Sequence, residues 1–362
     1  MDMHVIEDRN KWSEIIDQCH QSDFYHTFDY HQIAKKEGEK PVLLKYSEGD
    51  SHILLPLLIR DIEGTQLKDA TSVYGYVGPL GKNIEPDFNN DGFKRQLDDF
   101  LMDNQIISVF SRLHPYISNQ QQILKNIGNI VSHGKVVNID LTKSIEEQKQ
   151  EYKRRLRTYI NRENKEYEIM DGTCDECLDT FIETYCENMK RVKAKPSYFF
   201  GKNYFYELLA SGQINAELLV AIHRDSGEFA GGAIFTKKGN TIQYHLSGVK
   251  AKFFHLNPIK LLIDHARIKG TEEGYTNLNL GGGLGGQEKD SLFYFKSGFS
   301  KDFRDFNTWQ YIVDESKYNQ LLKEKEGLEE PIDKSSCFFP LYRQNMGSDD
   351  FEISKINCLS ND

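Results

Sequence analysis

No stretch of the 362 residues approaches the roughly 18 consecutive apolar residues of a membrane-spanning helix. The opening MDMHVIEDRNKW is polar, with no apolar run behind a basic start, so neither a leader nor a membrane partner is expected. The default expectation is a cytoplasmic protein. Cationic charge is also short: 45 Lys and Arg face 55 Asp and Glu, a formal net charge of −10. Gripping a phosphate backbone rests on clustered Lys and Arg, so no broad nucleic-acid surface is expected. A local basic pocket stays open. Cysteine is sparse, six residues (Cys19, Cys174, Cys177, Cys186, Cys337, Cys358) with no framework spacing, which points to free thiols. Cys174 and Cys177 do form a C-x-x-C in TCDECLDTF. Zinc would want a second pair or matching histidines nearby. A redox motif would want a strand before it and a helix opening at it. Read from sequence alone, the two are thiols on a helix surface, and no metal is expected.

What is present describes a globular protein: 38% hydrophobic, 12% aromatic and 28% charged residues, over a length that suits two domains. One order of elements occurs twice. PVLLKY (41–46) and HILLPLLIRDIEG (52–64) read as strands, and TSVYGYVGPLG (71–81) as an aromatic strand entering a Gly/Pro loop. The helical spacing of 92–104 and the strand 106–113 follow. In the second half AELLVAIHR (216–224), FAGGAIFTKKGN (229–240) and TIQYHLSGV (241–249) lead to a helix over 258–274, with Pro258 at an N1-type position. TNLNL (276–280) closes the set. Such repetition suggests two homologous domains. Between them a strand (136–141) precedes one long helix, with Ser144 and Glu147 fitting a capping box. A charged helix follows Asp314, and the tail from Gly347 looks weakly structured.

The densest signal is residues 281–300, GGGLGGQEKDSLFYFKSGFS. Five of its first six residues are glycine, which lets backbone approach a ligand closely or take positive φ. Phe293, Tyr294, Phe295 and Phe299 then enclose a single cation, Lys296. The second signal is basic. Residues 149–165 carry seven Lys and Arg against two Glu, inside an acidic chain. Such a region suits a diphosphate, which arginine binds bidentately. A solvated helix face is the other reading.

These motifs, with SDFYHTFDY (22–30), SVYGYVGPL (72–80), VFSRLHPY (109–116), VNIDL (137–141) and TYCENMKRVKAKPSYFF (184–200), resemble the Fem-type tandem GNAT transferases. Within that group the chain looks nearest to the sugar-nucleotide N-acyltransferases of surface-polysaccharide synthesis. The resemblance implies an α+β fold of two GNAT-like domains, each a mixed sheet flanked by helices. Residues 1–141 would form the first, with 315–362 packing back onto it, and 142–314 the second. It implies an enzyme moving an acyl group from acyl-CoA to the amine of a nucleotide-linked amino sugar. Its alternatives are an aminoacyl-tRNA-dependent transferase acting on a peptidoglycan precursor, or a non-catalytic binding protein. Oligomer formation is left open.

Residue by residue, the resemblance sets Phe295 and Lys296 near the reacting carbonyl, where a lysine can stabilise the oxyanion of a tetrahedral intermediate. Arg154 or Arg157 would hold the acceptor diphosphate. Arg191, Tyr198, Tyr76 and His26 are further substrate-binding candidates. A catalytic base is sought in His245, on the strand where GNAT chemistry occurs, or in Asp290, before the aromatic run. For His245 the other reading is a core histidine, and for Asp290 a helix N-cap. The glycine-containing pyrophosphate loop of GNAT enzymes is lacking. Its place reads VKAKFFHLNP (249–258), where Lys250, Lys252 and Asn257 at the helix start remain phosphate candidates, with Gly282 and Gly283 lining the donor path.

Overall fold

The computed structural model describes residues 2–283, 290–326 and 338–344. The core of the glycine-rich loop (284–289), Cys337, Cys358 and the tail from Gly347 lie outside these residues. The first half runs β1 (Asp2–Ile6), α1 (Arg9–Asp17), α2 (Phe28–Ala34), β2 (Lys40–Glu48), β3 (Ser51–Asp61), β4 (Lys68–Thr71), β5 (Leu80–Lys82), α3 (Asp91–Asp103), β6 (Ile106–Arg112), α4 (Gln120–Ile123) and β7 (Asn129–Asp140). The second continues with α5 (Ile145–Glu151), α6 (Arg154–Glu163), β8 (Tyr167–Asp171), α7 (Asp175–Arg191), α8 (Lys202–Ala210), β9 (Ala216–His223), β10 (Phe229–Lys238), β11 (Thr241–Val249), α9 (Ile259–Glu272), β12 (Asn277–Gly282), α10 (Ser291–Lys296), β13 (Asp302–Ile312) and α11 (Glu315–Glu326).

Two compact units divide the chain between His133 and Gly134 and between Arg304 and Asp305. In the first, neighbouring strands run β1–β2–β3–β4–β6–β13, with β5 beside β3. In the second they run β7–β12–β11–β10–β9–β8. Each sheet is mixed. The hairpins β2/β3 and β9/β10 are antiparallel, whereas β4 pairs β6 and β11 pairs β12 in parallel. Each parallel pair is joined through a helix, α3 or α9, so the repeated order read from sequence reappears as repeated topology. Helix α11 adds to the first unit, burying Tyr318, Leu321 and Leu322 with Ile62, Ile107 and Tyr342. Arg343 and Tyr342 anchor beside it on the fully buried Asp69, which accepts from Arg343 Nε at 2.5 Å and Tyr342 Oη at 3.1 Å.

Three local readings change. The strand expected over 71–81 stops at Thr71 and resumes only as β5, because Gly75 (φ +138°) and Gly78 (φ +68°) turn the backbone. The ring of Tyr25 occupies the space a Cβ on Gly75 would need, 2.1 Å away. The single helix expected after Ser144 is two. Its capping box forms as read, but Tyr152 and Lys153 are extended, held by Tyr152 Oη donating to Asp264 Oδ1 (2.7 Å) and Lys153 N to Gly298 O (2.9 Å). Thiols are not all free: Cys19, Cys174 and Cys177 are, whereas Cys186 is disulfide-bonded.

Candidate active site

The candidate site of the second unit lies where β11 and β12 part. Their register runs from Thr241↔Asn277 to Gln243↔Asn279 and then ends, while both strands continue. Asn279 Nδ2 donates to Gln243 Oε1 at 2.8 Å across the last rung. Beyond it, β11 carries a β-bulge: Ile234 pairs Leu246 and Phe235 pairs Tyr244, leaving His245 as the extra residue. A bulge of this kind re-aims a side chain and is common beside active sites. His245 Nε2 lies 2.8 Å from Tyr204 Oη of α8, and Tyr204 stacks on Phe200 at 4.1 Å. The histidine is half-buried, which leaves it accessible rather than sealed in the core.

On the other side, β12 runs into the glycine stretch. Gly281 takes φ +74°, and its N–H donates to Asn279 Oδ1 at 2.9 Å. A Cβ on Gly282 would meet the carbonyl of Lys135 on β7 at 2.9 Å, so backbone passes backbone there. Helix α10 then opens on Asp290, whose Oδ1 accepts from Phe293 N at 2.8 Å. Asp290 is thus the N-cap, the second of the two readings its sequence position allows. Lys296 ends the helix and folds back, its Nζ donating to Gly282 O at 2.8 Å. Only 8% of it is exposed. Burial pushes its ammonium down to about 8, partly countered by the Asp290 carboxylate. Phe295 sits beside it half-buried, edge-on to Phe299 at 5.8 Å.

The basic segment joins this helix. Lys153 donates from Nζ to Ser297 Oγ at 3.1 Å and lies 4.1 Å above the Tyr294 ring. With Lys153 N bonded to Gly298 O, the start of α6 is fixed against the end of α10. Helix α6 buries Leu156 and Ile160, leaving Arg154 exposed and Arg157 half-buried. Arg162, by contrast, is paired with the buried Glu163 at 2.5 Å.

The segment after β11 is a compact turn, not an open loop. The N–H groups of Phe253, Phe254, Leu256 and Asn257 all bond to carbonyls within 250–253. Those amides are therefore unavailable to a pyrophosphate. Lys252 is drawn into an exposed ion pair with Glu228 at 2.5 Å. Lys250 Nζ lies 5.8 Å from the Phe229 ring, and the buried Asn257 Oδ1 has no hydrogen-bond partner. Arg191, at the end of α7, stacks on Phe254 at 3.7 Å, which places it at this turn. Tyr198 is half-buried, and its carbonyl accepts from Tyr185 Oη at 2.8 Å.

The remaining two candidates belong to the first unit. Tyr76 is half-buried and meets Tyr25 and Phe306 edge-on. His26 has no exposed surface, accepts at Nδ1 from Asp23 N and has Nε2 3.1 Å from Val77 O. Burial, with His114 nearby, drives its imidazolium down to about 3. It lines no cleft; it holds backbone together. Among the described residues one trio, Glu166, His223 and Asp225, sets three ligand atoms within 4.8 Å at the β9/β10 hairpin end, where the His223 ring lies 5.3 Å from that of Phe253. Tyr204 stands in no motif read from sequence, and only the fold brings it to His245. Lys153 belongs to the basic segment, and the fold sets it over Tyr294.

Residues 146–297 match the family model of the acetyltransferase (GNAT) domain. That stretch lies within the second unit. Among solved structures, that of FemX is similar at 14% identity and a TM-score of 0.70, over 88% of this chain and 99% of that one. The C-terminal domain (DUF2156) of a putative lysylphosphatidylglycerol synthetase from Agrobacterium fabrum is similar at 13% identity and a TM-score of 0.55, over 88% and 94%. A conserved protein of unknown function from Bacteroides thetaiotaomicron gives 13% and 0.55, over 86% and 100%. No curated protein matches the chain closely enough in sequence to support a relationship. The fold is two GNAT-like units in tandem, as expected, with the GNAT match falling on the unit that holds Lys296. GNAT domains in general pair an acyl-CoA with an acceptor. No helix among the described residues is long and apolar enough to cross a membrane.

Proposed function

We propose that the chain is an N-acyltransferase that moves an acyl group from acyl-CoA to the amine of a nucleotide-linked amino sugar, in surface-polysaccharide synthesis. The observation that carries this reading is Lys296: a buried ammonium, its Nζ 2.8 Å from Gly282 O, at the mouth of the β11/β12 split and beside a basic helix. The acceptor nitrogen attacks the thioester carbonyl carbon, forming a C–N bond and a tetrahedral oxyanion. Lys296 neutralises that oxyanion in a site with little water, where a fixed charge is worth most. Collapse breaks the C–S bond and releases the thiol. The amine's proton passes to His245, directly or through water, with Tyr204 fixing the imidazole. Arg154 and Arg157, on α6, take the diphosphate of the acceptor. Phe295 shields the carbonyl.

One observation favours a second reading. The 250–257 turn consumes the amides that a CoA pyrophosphate would use, which suits a Fem-type donor, aminoacyl-tRNA, and a peptidoglycan precursor as acceptor. The experiment pairs acyl-CoAs of several chain lengths with UDP- and dTDP-linked amino sugars and follows free thiol and acylated product. Thiol release that requires a sugar supports the first reading. Product formed only from aminoacyl-tRNA replaces it with the second.

A further inference from the structure

The C-x-x-C lies outside the site just described, and its surroundings are those a redox pair wants. Strand β8 ends at Asp171, whose Oδ1 accepts from Thr173 N at 2.9 Å and Thr173 Oγ1 at 2.7 Å. Helix α7 then opens with Cys174 as its N-cap, and the Cys174 side chain makes no capping hydrogen bond. Cys177 occupies the third helical position, the N-cap-to-N3 relation through which a capping box brings two side chains together. In helical geometry residues three apart lie about 5 Å apart at Cα, within the roughly 4.4–6.8 Å a disulfide spans. The two thiols are close enough for Cys174 to raise the Cys177 thiol. Cys174 is exposed, Cys177 is half-buried, and both are free.

We propose that Cys174 and Cys177 are a redox-active pair that closes to an intramolecular disulfide by exchange with a low-molecular-weight disulfide. The exposed Cys174 sulfur, as thiolate, attacks one sulfur of the external disulfide, whose S–S bond breaks and whose other half leaves as thiolate. Cys177 gives its proton to solvent and attacks the Cys174 sulfur, expelling the second external thiolate. Two protein thiols are oxidised and one external disulfide becomes two thiols. The surroundings set the direction. The neighbouring Cys174, burial, and the charges of Glu176 and Asp171 push the Cys177 thiol up to about 11. Pairs that oxidise others stabilise their reduced, thiolate form. Cys177 shows no such stabilisation. A metal is the weaker occupant, since the one three-ligand group among the described residues includes neither cysteine.

The test takes the full chain, reduced, through a series of glutathione redox buffers, then quenches with acid, alkylates and maps peptides by mass. The peptide holding both cysteines should pass from doubly alkylated to unalkylated and lighter by two hydrogens, reversibly on adding dithiothreitol. In Cys177→Ser the same buffers should instead leave glutathione on Cys174. The proposal fails if the parent protein accumulates that mixed disulfide with Cys177 still alkylated. It fails equally if both thiols stay alkylated throughout, or if either links to another cysteine.

Discussion

Lys296→Met separates what the lysine does for folding from what it does for chemistry. Burial takes the ammonium from its ordinary 10.5 to about 8. Each tenfold change in proton affinity corresponds to about 1.4 kcal/mol, so holding the charge inside the fold costs roughly 3 kcal/mol at neutral pH. The hydrogen bond to Gly282 O returns about 1.5–3 kcal/mol. Removing both should leave the variant as stable as the parent at pH 7, or more stable by about 1 kcal/mol. The pH dependence is the sharper signature. A buried lysine with a depressed native value binds fewer protons than the unfolded chain between about 8 and 10.5. Parent stability therefore rises with pH across that window relative to the variant, and the native-state cost is fully present only below it. From pH 7 to pH 10 the difference should move by about 2.5 kcal/mol in the parent's favour. Urea unfolding of both proteins at the two pH values reads this directly. A stability difference that stays constant from pH 7 to pH 10 refutes the buried-charge reasoning.

Three further outcomes follow from the same geometry. Asp290→Asn keeps an N-cap side chain but removes the charge that raises Lys296. The alkaline limb of the kcat/KM profile should then move below its position near 8, and an unmoved limb would detach Asp290 from the lysine. His245→Ala should lower kcat by about 10²- to 10⁴-fold, the usual worth of a general base, with a smaller loss for Tyr204→Phe. Equal rates in all three proteins would remove the pair from proton transfer. Arg154→Ala or Arg157→Ala should raise KM for a diphosphate-bearing acceptor by about 10- to 100-fold, the value of a charge-assisted hydrogen bond, while the donor KM holds. An unchanged acceptor KM in both would return α6 to the role of a solvated helix face.

The fold was legible because its period was. Hairpin, strand, helix and parallel strand recur in the residues themselves, and β2/β3, β9/β10, α3 and α9 stand near the expected positions. The long helix after Ser144 broke because its interruption is tertiary: Asp264 and Gly298, over a hundred residues away, pull Tyr152 and Lys153 out of helical geometry. The site was partly legible. Lys296 and the basic helix stood out as charge against their surroundings, and the structure brings them together through Lys153. The His245 bulge and its Tyr204 partner left no sequence signal, since a bulge is a property of pairing between strands. His26 reads as a substrate-binding candidate because it stands in a motif that carries the resemblance. It is polar because it satisfies buried backbone at Asp23 and Val77. The C-x-x-C reads as thiols on a helix surface, and both stand free at the head of α7 with Cys174 exposed.

The central claim is that Lys296 stabilises the transition state of acyl transfer in the GNAT unit. The most direct measurement is kcat and both KM values for the parent and Lys296→Ala, on whichever donor and amine acceptor give turnover. The account predicts kcat lower by about 10²- to 10³-fold, the worth of one oxyanion donor, with both KM values within a few-fold. An unchanged kcat would contradict it.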